Sequence, residues 1–107
     1  MALTRDFKDT IAARIRRDPG FAKAMLDGAV TMFFGGEPEA ARLILRELVN
    51  ATIGFEALSA ETSKSPKSLH RMLSRNGNPT MDNLAAILNV LGRRLGVEIR
   101  ARIVKAA

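Results

Sequence analysis

Between Lys64 and Arg75 the chain carries four cationic side chains, Lys64, Lys67, Arg71 and Arg75, with its single histidine, His70, and no acid. Cations spaced in this way suit the binding of a polyanion. Leu69, Met72 and Leu73 recur between them at helical spacing, so one side of the segment is apolar and the other charged. Ser65-Pro66 is a helix start signal, with serine as the cap and proline at the first helical position. Upstream, Phe55, Leu58 and Thr62 mark the inner side of another short helix, with Glu56 and Glu61 facing water. The stretch from Gly54 to Asn78 thus reads as two short helices, a tight polar turn and a basic loop. As a helix-turn-helix, its second helix, Pro66 to Leu73, is expected to enter a DNA major groove.

No catalytic constellation accompanies these residues. Ser68 and His70 stand two apart on a helix and point in different directions, so they make no nucleophile–base pair. The chain has no cysteine, which removes disulfides and thiolate metal sites and fits a reducing cytosol. With one histidine and no carboxylate cluster, no metal or other cofactor is expected, and the chain reads as a non-enzyme. Trp and Tyr are absent and all five Phe precede Lys64. Stacking on unpaired bases is therefore not expected, and duplex DNA is favoured over single strands or RNA loops.

At 107 residues the chain has the length of one domain, and 47% apolar with 26% charged residues indicates a packed core rather than disorder. Its net charge of +6 is unevenly placed. Residues 1–63 hold eight cations and nine acids, a net of −1; residues 64–107 hold nine cations and two acids, a net of +7. A polyanion-facing half on a near-neutral scaffold follows from this split, the alternative being a solvated basic face. Apolar runs are short, so no membrane span is expected, and the first residues lack the layout of a secretory signal; a cytoplasmic location is the expectation.

The elements that must position the basic segment are mostly helical. Leu3, Phe7, Ile11 and Ile15 predict a helix from Leu3 to Arg17. Asp18-Pro19 starts a second helix to about Phe34, with Phe21, Met25, Ala29, Met32 and Phe33 inward and Gly35-Gly36 as its end. Glu37-Pro38 starts a third to about Asn50, burying Ala41, Ile44, Leu45 and Leu48. Asn78-Pro79-Thr80 is a turn, and Thr80 caps a helix through Leu91 that buries Leu84, Ile87, Leu88 and Leu91 and stops at Gly92 or one turn later. From Val97 the period changes to two: Val97, Ile99, Ala101 and Ile103 alternate with Glu98, Arg100, Arg102 and Val104. That pattern predicts a strand, pairing antiparallel with its copy in a homodimer, or else a frayed basic tail.

The segment from Phe55 to Gly92 resembles the lambda-repressor-like helix-turn-helix family of bacterial regulators. The matching features are Leu58-Ser59 in the first motif helix, Ser65 as cap, Leu69 inside the second helix, Gly77 after it, Pro79-Thr80, and Leu91-Gly92. The sequence departs from that pattern at Ser63, often glycine, and at Lys64, often aliphatic. More narrowly, SLHRMLSRNGNPTMDNLAAIL, with LTRDF, RDPGFAKAML and GEPEAARLILRELVNATIGFEAL, is similar to antidote (antitoxin) proteins of bacterial addiction modules.

The resemblance implies a mainly α fold: a lambda-repressor-like bundle with two extra N-terminal helices (1–36), a helix-turn-helix core (37–92) and a short C-terminal β-strand (96–105). It implies a repressor that recognises a palindromic operator, with a small basic toxin as a further partner; a stand-alone regulator and a protein-interaction module are the alternatives. Lys67, Ser68 and Arg71 fall at the family's base-contacting positions, and Arg71 can pair both guanine acceptors. Lys64, Ser65, His70, Arg75, Asn76 and Asn78 are expected at the DNA backbone, His70 either on phosphate or packed at the helix flank. Val97, Ile99, Ala101 and Ile103 are expected at the dimer interface.

Overall fold

Three side-chain caps and three prolines set where most helices begin. The computed structural model describes residues 5–107 and contains, among them, six helices and no strand. They are α1 (Arg5–Arg17), α2 (Pro19–Phe34), α3 (Pro38–Ala51), α4 (Phe55–Thr62), α5 (Pro66–Met72) and α6 (Met81–Leu95). Asp18 accepts from the Phe21 amide at 3.1 Å, Ser65 Oγ from Ser68 and Thr80 Oγ1 from Asn83, each also at 3.1 Å. Such a cap contributes about 1 kcal/mol. The mainly helical expectation is met, and Pro19, Pro38 and Pro66 occupy the first turns as read from sequence. Leu3 lies outside the described residues.

One apolar cluster joins every helix. Its largest fully buried members are Leu45, Leu48 and Val49 of α3, Leu58 of α4, Leu69 of α5 with Leu73 just beyond it, and Ile87 and Leu91 of α6. Ile15 of α1, Ala22, Leu26 and Ala29 of α2, Ala51 of α3, Phe55 of α4 and Val90 of α6 complete it. Burying a leucine side chain stabilises by about 1.5–3 kcal/mol, so this cluster dominates the fold. Among the described residues, no polar or charged residue is buried.

The inner face of α2 differs from the sequence expectation. Ala22, Leu26 and Ala29 are buried, whereas Phe21, Met25 and Phe33 pack half-buried at the rim. Two of the three buried residues on α2 are alanines, and its bulky side chains fill the edges instead. Around them, α1 is tied to α3 by an ion pair, Lys8 to Glu47 at 3.8 Å, and by Arg16 Nε donating to the Ala51 carbonyl at 3.3 Å.

At the end of the chain the longer of the two expected ends of α6 is found, and the expected strand is corrected. Helix α6 passes through Gly92 and ends at Gly96, which takes the left-handed conformation with φ 68°. The chain turns back over Gly92, Val97 N donating to Gly92 O at 2.8 Å, and a Cβ there would stand a tight 3.0 Å from the Val97 carbonyl oxygen. The strand expected over 96–105 is not formed. Residues 97–107 belong to no ladder, because a strand needs a partner edge and this helical chain supplies none. Val97, expected at a dimer interface, instead packs half-buried on its own core, while Ile99, Ala101 and Ile103 are exposed.

Candidate nucleic-acid interface

Helices α4 and α5 are separated by Ser63, Lys64 and Ser65 alone. Ser63 holds the left-handed conformation, φ 58° and ψ 30°, the only positive φ at a non-glycine among the described residues. Its amide donates to Ser59 O at 2.9 Å, ending α4. Ser59 Oγ donates to the Lys64 carbonyl, so a hydroxyl tethers the turn while the Lys64 side chain stays exposed. Leu58 and Leu69, both fully buried, anchor the two motif helices in the core.

This framework distributes the candidate residues unevenly. Lys67 and Arg71, one turn apart on α5, are exposed, and Lys64 lies exposed just before them. Ser68 is half-buried between them. Ser65 is exposed, and its hydroxyl oxygen is engaged in the α5 cap. His70 does not join the exposed row: its ring stacks on Phe55, centroids 3.7 Å apart and planes 19° from parallel. The flank position weighed from the sequence is the one it occupies.

Beyond α5 the loop turns tightly. Leu73 N and Ser74 N donate to Leu69 O and Arg71 O, and Gly77 N to Ser74 O at 3.1 Å. A Cβ on Gly77 would stand 2.3 Å from Met72 O and 2.6 Å from Arg71 O, so only glycine lets the loop fold back onto the end of α5. Asn76 and Asn78 are exposed on either side of it. Arg75 is exposed but engaged, its Nε donating to Glu39 Oε1 of α3 at 2.7 Å.

Helix α3 contributes groups that sequence reasoning missed. Arg42 Nε donates to Ser74 O at 3.0 Å and its Nη2 to Arg75 O at 2.8 Å, while Arg46 Nη1 donates to His70 O at 3.2 Å. The signal available in sequence was the spacing of Glu39, Arg42 and Arg46, which places all three on one side of a helix. Among the described residues, no cluster of His, Cys, Asp or Glu is arranged to hold a metal ion, and no helix is long and apolar enough to cross a membrane. No family model matches the chain, and neither a curated protein sequence nor a solved structure matches it.

Proposed function

We propose that the chain is a sequence-specific binder of double-stranded DNA, a transcriptional repressor of the lambda-repressor-like helix-turn-helix kind. The observation that carries this reading is the exposed set Lys64, Lys67 and Arg71, the last two displayed by a short helix whose opposite side is buried through Leu69 and the first just before it. No acid interrupts the segment from Lys64 to Asn78. In this reading Lys67, Ser68 and Arg71 face base edges, and Lys64, Asn76 and Asn78 meet phosphates. Arg75 is available to phosphate once it leaves Glu39.

The exposed alternation of Ile99, Ala101 and Ile103 supports pairing of residues 99–105 with a second copy, giving a homodimer on a palindromic operator. The antitoxin role rests on the sequence resemblance: the chain would neutralise a small basic toxin encoded beside it and repress the shared operon. A stand-alone regulator is the competing reading. Gel shift with the duplex upstream of the protein's own coding sequence tests DNA binding. The expected result is a salt-sensitive shift that is lost in Lys67→Ala/Arg71→Ala; an unchanged shift in that variant removes the α5 assignment. An adjacent toxin gene, with co-purification of its product, separates antitoxin from stand-alone regulator.

A further inference from the structure

Helix α5 has seven residues, too few to be stable alone, and its close backbone packing is chiefly on α4. Yet one carbonyl of its last turn and two of the loop that follows it are held from outside, by α3. Arg42 spans two consecutive carbonyl oxygens, Ser74 at 3.0 Å and Arg75 at 2.8 Å, and Arg46 takes His70 O at 3.2 Å. Both arginines are half-buried and four residues apart on α3. Charged donors make stronger bonds to carbonyls than neutral ones, and Arg46, on the last turn of α5, also opposes the negative end of its dipole.

The geometry points to Arg42 and Arg46 as positioning residues of the DNA interface. They fix α5 and the loop after it to α3, so that Lys67 and Arg71 meet a duplex at the same time as Asn76 and Asn78. This consequence rests on the DNA-binding reading; the clamp itself does not. Two features make Arg42 the stronger of the pair. Its planar fork fits two adjacent oxygens at once, which a lysine ammonium does not reproduce. The Ser74 oxygen it holds also accepts the Gly77 amide, so the clamp bears on the fold-back of the whole loop.

Two measurements on the full chain test this. The first is amide hydrogen exchange by NMR at Leu73, Ser74 and Gly77 in wild type, Arg42→Lys, Arg42→Ala and Arg46→Ala. Exchange is expected to rise about tenfold at these amides in both Arg42 variants and less in Arg46→Ala, with Leu26 of α2 unchanged. Arg42→Lys keeps the charge and the aliphatic stem, so it guards against a variant that fails to fold. The second is binding to the upstream duplex and to a scrambled duplex of equal length. Arg42→Lys is expected to lose about tenfold on the upstream duplex and nothing on the scrambled one, which senses charge alone.

Unchanged exchange overturns the clamp. Faster exchange with upstream binding intact overturns the positioning role, as does an equal loss on both duplexes. A wild-type protein that binds neither duplex overturns the DNA-binding reading and the positioning role with it, while the exchange arm still decides whether α3 holds α5.

Discussion

The imidazole of His70 lies on the ring of Phe55, 3.7 Å between centroids and 19° from parallel. Phe55 is the first residue of α4 and His70 sits on α5, so this stack joins the two motif helices at the edge of the core to which Phe55 belongs. His70→Ala is expected to lower stability by about 1 kcal/mol in urea denaturation, and Phe55→Ala by about 3 kcal/mol or more. His70→Phe keeps the stack and should bind the upstream duplex as wild type does. Weaker binding by that variant, at unchanged stability, would return His70 to the DNA contacts.

Gly77→Ala is expected to be among the most disruptive single substitutions. Its new methyl carbon meets two backbone oxygens that belong to the end of α5, and neither can swing aside as a side chain would. A loss of about 3 kcal/mol follows, read as a fall in the denaturation midpoint. A midpoint within experimental error of wild type shows that the loop can open without cost.

The left-handed Ser63 invites the opposite change. Ser63→Gly removes the steric penalty of φ 58° and costs some unfolded-chain entropy, for a net gain of about 0.5–1 kcal/mol. The check is a higher midpoint with an unchanged slope; a lower midpoint indicates that the serine itself stabilises the turn.

Glu39→Gln separates stability from binding. The pair with Arg75 is solvent-exposed, with the side chains 77% and 53% accessible, so its loss should change stability by less than about 0.5 kcal/mol. Releasing Arg75 to a phosphate should steepen the dependence of log affinity on log salt by about one for each protomer. An unchanged slope places Arg75 away from the duplex.

Deleting residues 99–107 leaves Val97 on its core and removes the exposed alternating segment. Light scattering is expected to report a monomer, with weaker binding to a two-fold duplex. A truncated protein that stays dimeric locates the dimer contact elsewhere.

What the sequence disclosed follows the range of the forces involved. The caps at Asp18, Ser65 and Thr80 and the first-turn prolines act within a few residues, and those boundaries were read where they are found. The same holds for Leu58, Leu69 and Ile87, whose burial follows from helical spacing. Rotation of α2 onto its alanines depends on the helices packed against it, which no local pattern contains. Gly92 reads as a stop until the returning Val97 is seen above it. The strand pattern after Val97 is real as a pattern, but its hydrogen bonds need an edge from another molecule. At the candidate interface, Lys67 and Arg71 were legible from charge and helical period. The engagement of Arg75 with Glu39, of Arg46 with α5 and of Arg42 with the loop after it joins residues more than twenty positions apart.

The arginines of α3 bind main-chain oxygens only. Every residue type offers the same carbonyl, so the attachment is indifferent to what stands at positions 67, 68 and 71. New side chains can be installed there to address a different base sequence while the helix keeps its seat, and the recognition surface is therefore exchangeable on a constant mount.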